Sequence, residues 1–249
     1  MNTPAGKRLR ISATSGLARI SRSKVENFLR CPRCFWLDVV AGVSPPSGPP
    51  FNLNLAVDHL FKNEFDAHRR AQSVPLRLAA VGLPLIPSDH PSMDDWRFNF
   101  KGVCHPRPDL GLELFGAIDD LWHDGAALED RIHCVADYKA TSKKDAVSLD
   151  ADWQISYKRQ MEFYQWLLRG NGLRVSDTAF FVYANGIKDE RPFDDRLEFE
   201  TRILPYDGND AWVLPALLRL RECLELPVPP NGAKDCEVCG FVEKMRAWR

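Results

Sequence analysis

Apolar and polar positions repeat with two periods along this chain. Val25, Phe28 and Leu29 follow Ser23-Lys24-Val25-Glu26, a capping pattern, and predict a helix that starts at Ser23 and breaks at Cys31-Pro32. Phe35-Trp36-Leu37 is apolar, and the proline-rich stretch from Ser44 to Pro50 reads as a link. Val57, Leu60, Phe61 and Phe65 form one stripe of a second helix, about Asn54 to Arg70. Residues 71 to 95 read as a loop-dominated connection or flap, Trp96 to Lys101 as a strand and His105-Pro106-Arg107-Pro108 as a turn. Leu112 to Trp122 is rich in branched and aromatic residues, and Ile132 to Tyr138 alternates; the polar loop His123 to Arg131 makes the pair a candidate hairpin. Ser156 to Leu168 is a helix with Met161, Tyr164, Leu167 and Leu168 on one face and a Gly170-Asn171-Gly172 stop. Phe180 to Ala184 reads as a buried strand, Leu197 to Leu204 as an alternating one, and Asp210 to Glu225 as a helix interrupted at Pro215.

This order predicts an α/β protein, a mixed sheet flanked by helices. A chain of 249 residues, 45% hydrophobic and 27% charged, has the composition of an ordinary globular protein with a good core. No apolar run approaches the ~18 residues of a membrane span, and the N-terminus lacks a signal-like apolar segment. The expected compartment is the cytoplasm, with no membrane partner. Net charge is −1, but residues 1 to 33 hold eight basic residues and one acid. Residues 1 to 20 are expected to be a disordered basic arm, a phosphate-reaching segment or a solvated tail. Residues 21 to 249 are expected to form a single domain.

Pairing symmetric about the hairpin loop sets Asp119 opposite Asp137 in the register that pairs Trp122 with Cys134. Side chains two apart share a strand face, so Asp137 and Lys139 point the same way. Two carboxylates suit a hard divalent cation such as Mg²⁺ or Mn²⁺. A lysine beside them suits orienting or deprotonating a water and offsetting charge on a phosphate. Together these are the parts for cutting a phosphodiester, although a plain surface ion pair has the same spacing.

Gly-Ala-Ile-Asp119, Asp137-Tyr-Lys139 and Gln160-Met-Glu-Phe-Tyr164 in the following helix resemble the PD-(D/E)XK nuclease superfamily, and most closely its RecB-type branch, which includes the CRISPR-associated iron–sulfur exonucleases. The resemblance spans about Ser21 to Cys239. It implies a restriction-endonuclease-like core and a DNA substrate. Asp119 and Asp137 would be metal ligands, Lys139 catalytic, and Gln160 and Tyr164 contacts to the site or the DNA. Exonuclease action in DNA repair, CRISPR adaptation or defence follows at family level, with a helicase or CRISPR integrase as partner. The family places a further metal ligand on the preceding helix. His59 has the family spacing, with Leu55 where a glycine is usual, and Glu64 lies inside the apolar stripe; both are candidates. Thr141-Ser142-Lys143-Lys144 offers hydroxyls and cations beside the site.

Cys31-Pro-Arg-Cys34 and Cys236-Glu-Val-Cys239 match in form. Two such pairs can supply four thiolates to Zn²⁺ or a [4Fe–4S] cluster. They predict a clamp joining residues 21–40 to 226–249 in one lobe. The resemblance favours iron–sulfur, although its members usually have one N-terminal and three C-terminal cysteines; zinc is the alternative. Cys223 is a substitute ligand at an awkward spacing, and with Cys104 and Cys134 it reads as a small buried hydrophobe. Two rival functions remain: a catalytically silent nuclease fold that binds DNA ends or a protein, and a zinc-clamped interaction protein. No Walker or dinucleotide-binding motif is present.

Overall fold

The structure, a computed structural model, describes residues 9–46, 48–49, 51–188, 192–246 and 248. In chain order its elements are β1 (Ala18–Ser21), α1 (Arg22–Arg30), α2 (Pro32–Val39), α3 (Asn52–Ala71), α4 (Leu76–Ala79), β2 (Ile86–Pro87), α5 (Met93–Arg97), β3 (Val103–Arg107), β4 (Leu112–Gly116), β5 (Asp120–His123), β6 (His133–Thr141), α6 (Ile155–Gly170), β7 (Thr178–Gly186), β8 (Phe199–Asp207), α7 (Val213–Glu225) and α8 (Glu237–Arg246). They make a mixed α/β protein with two sheets. Among the described residues no helix is long and apolar enough to cross a membrane.

The chain divides into two compact units. One comprises the chain up to Pro49, Cys104–Phe115 and the chain from Ala211; the other comprises Pro50–Val103 and Gly116–Asp210. The terminal unit has its own core, including Phe28, Phe35, Leu112, Leu114, Leu217 and Leu220. Its sheet runs β1-β4-β3, with β1 and β4 parallel. The basic arm is therefore partly built into the fold: Ile11 bridges to Ala18, and β1 begins where disorder was expected. Residues 1–8 lie outside the described residues. Arg19 binds Glu113 at 3.0 Å and lies over the Phe115 ring, Lys24 pairs with Asp38, and Arg33 reaches Glu243 at 3.6 Å.

Local chemistry explains the differences in element bounds. The first helix is capped by Ser21, whose side chain accepts from the Lys24 amide at 3.3 Å, two residues earlier than the capping pattern suggested. Pro215 does not interrupt α7, because it lies in the first turn, where a backbone N–H has no helical partner. His105 to Arg107 lie in β3, and an edge strand tolerates Pro106. Trp96 belongs to the short helix α5 rather than to a strand, with two acids in its first turn. Gly102 then turns the chain at φ 66°, and a Cβ there would meet the Gly116 carbonyl carbon at 2.6 Å. That close approach leaves room only for a glycine at position 102. The expected strand from Leu112 to Trp122 divides after Gly116, so β4 and β5 join different sheets.

The second unit holds a five-stranded mixed sheet, β2-β5-β6-β7-β8. β5 and β6 are antiparallel and pair Trp122 with Cys134, the register expected from the loop. β6 and β7 are parallel, connected through α6, and β8 returns antiparallel at the edge. One sheet face, with Trp122, Ala136, Tyr138, Phe180 and Val182, packs on Val57, Phe61 and Phe65 of α3. Phe65 stacks on Trp122 and Phe61 on Tyr138, with centroids 5.2 and 5.1 Å apart. Leu60, counted in the stripe, is 64% exposed.

At the hairpin's loop end lie two buried histidines, His123 and His133, with ring centroids 6.3 Å apart. His123 Nδ1 accepts the Gly125 amide at 3.0 Å, while His123 Nε2 and His133 Nδ1 are enclosed without a hydrogen-bond partner. Burial, then nearby cations including Arg131, holds His123 below its ordinary 6.5; burial lowers His133 likewise. Burial thus favours the neutral form of both in the fold. Unfolded histidines take up protons below about pH 6.5 that the folded chain refuses, so this contribution is complete above that pH and is lost as the pH falls. The thermal unfolding midpoint of the parent chain should consequently drop more between about pH 7.5 and 5.5 than that of a His123→Gln/His133→Gln variant. Parallel pH profiles for the two proteins would refute this.

Candidate functional site

The β5–β6 ladder ends at Asp120 and Ala136, and the next residue, Asp119, takes over its bonding. Its carboxylate Oδ2 accepts the Tyr138 backbone N–H at 2.9 Å. Asp119 thus lies beside Asp137, with its side chain 24% exposed. The neighbouring Asp120 has a different fate. It is fully buried and receives Arg69, Arg97, the Leu121 amide at 2.8 Å, the Trp122 indole at 3.2 Å and the Tyr138 hydroxyl at 2.6 Å. Arg97 also donates to the Asp119 backbone carbonyl at 3.0 Å and to Asp66 at 2.7 Å. A satisfied carboxylate of this kind is structural, and it anchors the turn that presents Asp119.

Asp137 and Lys139 share one face of β6, as the two-residue period requires. Lys139 is ion-paired with Asp137 and donates to Gln160 Oε1 at 3.5 Å, and Gln160 Nε2 donates to the Tyr164 hydroxyl at 3.1 Å. Gln160 and Tyr164 lie one turn apart on α6, so a single helix face serves the sheet. Asp119, Asp137, Lys139, Gln160 and Tyr164 are thus brought together.

Both Asp137 carboxylate oxygens are enclosed and lack a hydrogen-bond donor apart from the ion pair with Lys139. Burial pushes the Asp137 carboxyl up; the Lys139 charge pulls it back and Asp119 raises it further. Burial lowers Lys139, but Asp137 and Asp119 outweigh it and raise the ammonium to about 12. Crowded carboxylates with unused lone pairs match what a hard divalent cation requires.

Neither predicted residue of α3 joins this group. Glu64 is held by a two-pronged pair with Arg77, both bonds 3.1 Å, and His59 is exposed. Asp58 and Lys62 are there instead. Lys62 Nζ lies 2.8 Å from Asp58 Oδ2 and 3.7 Å from Asp119 Oδ1. Burial and then the Asp119 charge raise the Asp58 pKa despite Lys62. The overlooked signal is the row Asp58, Lys62, Asp66 at four-residue spacing, immediately beside the buried row Val57, Phe61, Phe65. Each charged residue follows a buried one and so lies at the rim of the packed face.

The terminal unit carries a second site. Cys31 sits at the joint between α1 and α2, Cys34 in the first turn of α2, Cys236 just before α8 and Cys239 in its first turn. Both pairs thus stand at helix N-termini, where the helix dipole favours thiolates. The four Sγ atoms lie within 4.8 Å of one another, with Cys31–Cys239 at 3.7, Cys34–Cys236 at 3.6 and Cys34–Cys239 at 3.7 Å. Among the described residues no other set of three or more His, Cys, Asp or Glu ligand atoms is drawn that close. Burial opposes ionisation of Cys31, yet the Ala233 amide and neighbouring thiols bring it to about 7. Burial and the adjacent thiols raise Cys34 and hold Cys239 at about 11. Four such thiols ionise together only around a cation. Gly232 makes room for them, since a Cβ there would lie 2.9 Å from Cys239 Sγ. The cluster could bind a metal such as zinc or an iron–sulfur centre. Cys223 and Cys134 are buried and Cys104 half-buried, all three outside it.

Compared with known proteins, the sequence matches no family model and no curated relative.

Proposed function

We propose that this chain is a divalent-metal-dependent DNA nuclease of the PD-(D/E)XK type that hydrolyses phosphodiester bonds. The observation that carries the reading is the convergence of Asp119, Asp137 and Lys139, with both Asp137 oxygens buried and lacking a hydrogen-bond donor apart from the ion pair with Lys139. The mixed sheet supports it: the two acids lie on an antiparallel hairpin, and the Gln160/Tyr164 helix crosses to a parallel strand.

Asp119 and Asp137 would hold Mg²⁺ or Mn²⁺, and Asp58 takes the place foreseen for His59 or Glu64. When bound, the ion would supply positive charge to a phosphate oxygen and make an attacking water more acidic. Lys139, kept an ammonium by its acidic neighbours, orients that water and offsets charge developing on the phosphate rather than removing the proton. Gln160 accepts one ammonium proton and is itself fixed by Tyr164, which limits where Lys139 can point. Lys62 bridges Asp58 and Asp119, and its charge partly neutralises that pair.

At the second site we infer one structural Zn²⁺. A regular tetrahedron with metal–sulfur bonds of about 2.3 Å has thiolates about 3.8 Å apart, close to the three shortest separations, 3.6 to 3.7 Å, in a set that lies within 4.8 Å. A four-iron cluster interposes an iron–sulfide core and holds its cysteines farther apart.

End-labelled single- and double-stranded DNA incubated with the purified chain and Mg²⁺ or Mn²⁺ tests the first reading. Cleavage that stops on chelation is expected. Binding without cleavage would replace it with the silent DNA-binding module, and neither binding nor cleavage would leave only the clamped interaction protein.

A further inference from the structure

Beyond Lys139 the chain leaves β6 and returns to α6 through a fastened loop. Ser142 Oγ donates to the Gly186 carbonyl at 2.8 Å, and Asn185 Oδ1 accepts the Lys143 amide at 2.8 Å while its Nδ2 donates to the Lys143 carbonyl at 3.1 Å. Buried Gln154 closes the other end, donating to the Ser148 carbonyl at 2.7 Å and accepting the Ala151 amide at 2.9 Å. Between these ties stands Trp153, 55% exposed. An isolated exposed aromatic is ordinary, but this one belongs to a series. Its ring meets Tyr157 edge-on at 5.3 Å and 83°. Tyr157 carries the Lys139 ammonium over its own ring at 4.6 Å, and Lys143 lies 5.4 Å from the Trp153 centroid. A continuous path of rings and ammonium groups thus runs from the candidate catalytic lysine to the surface.

We propose that Trp153, backed by Tyr157 and Lys143, is a stacking platform for an unpaired nucleobase next to the phosphate at Lys139. The proposal rests on the nuclease reading and deepens it by naming the residue that would meet an unpaired strand or frayed end, the substrate the family resemblance also implies. Every base offers a flat face to an indole, and stacking of this kind is indifferent to sequence. A duplex hides those faces between neighbouring pairs, so it gains nothing from the platform. The surrounding charge points the same way. Lys143 and Lys144 share the loop with Asp145, Asp150 and Asp152, so it is not a broad basic track for a double-stranded backbone.

The test compares the parent with Trp153→Ala and Trp153→Phe, using a fluorescein-labelled single-stranded oligonucleotide and a blunt duplex of the same sequence. Dissociation constants are measured with Ca²⁺, and cleavage kinetics with Mg²⁺ or Mn²⁺. Trp153→Ala should weaken single-strand binding roughly 5- to 100-fold, raise KM far more than it lowers kcat, and leave duplex binding unchanged. Trp153→Phe should retain most of the parent affinity. Equal single-strand binding by parent and Trp153→Ala would overturn the platform while leaving the nuclease reading intact. A parent that cuts only duplex would do the same. A parent that neither binds nor cuts any DNA would remove both.

Discussion

Lys139→Ala is expected to cleave DNA roughly 10²- to 10³-fold more slowly than the parent, the range for loss of one positioned donor to developing charge. The change leaves Asp137 buried without its partner. Burial already favours the neutral acid there, so Asp137 takes up a proton and the sheet keeps its fold. Circular dichroism close to that of the parent would confirm it. Asp119→Asn should lose activity as well while still accepting the Tyr138 amide, which separates the lost charge from lost structure. Asp58→Asn should be impaired and Glu64→Gln should not, because Glu64 is bound to Arg77 away from the acids. Full activity in Lys139→Ala, or a damaged Glu64→Gln beside an intact Asp58→Asn, would disprove the assignment.

Removing the clamp should have the largest effect on stability. The ring closed from Cys34 to Cys236 spans 202 residues, and long ring closures cost the unfolded chain the most entropy. Zinc binding at such sites is folding free energy, because the four thiolates are not gathered in the unfolded chain. A loss of about 5 kcal/mol corresponds to roughly 10–20 °C in melting temperature for a chain of this size. Cys236→Ser, or metal stripped by a chelator under reducing conditions, should lower the midpoint by about that much. Metal analysis of the parent should find one zinc per chain without the broad visible absorption of iron–sulfide. Iron in place of zinc would overturn the metal assignment, and a metal-free protein that melts with the parent would overturn the clamp.

The two sites differed in how legible they were. The Cys-x-x-Cys pairs needed no geometry, because four like ligands at matched spacing in two terminal segments have few other uses. The hairpin register was equally direct: a polar loop between two periodic strands leaves one symmetric pairing, and Trp122 opposite Cys134 is that pairing. Glu64, on the apolar stripe of α3, needed either a metal or a cationic partner, and the sequence left open which. Arg77, thirteen residues on, covers it, and no local pattern announces such a pair. The strand expected at Trp96 failed for a similar reason, since its aromatic residues are divided between a buried Trp96 and exposed Phe98 and Phe100.

By itself, then, the sequence determined the α/β order, the strand register, the shared face of Asp137 and Lys139 and the four-cysteine set. These follow from local periodicity and spacing, which act over a few residues. Only the tertiary structure decided which of two adjacent aspartates is buried, which charge of α3 meets Asp119, and that Leu112 to Trp122 divides between two sheets. Each of those outcomes depends on partners distant in the chain, Arg69 and Arg97 for Asp120, Lys62 for Asp119 and Gly102 for Gly116. Their approach is set by packing, and packing has no signature in the order of residues along one segment.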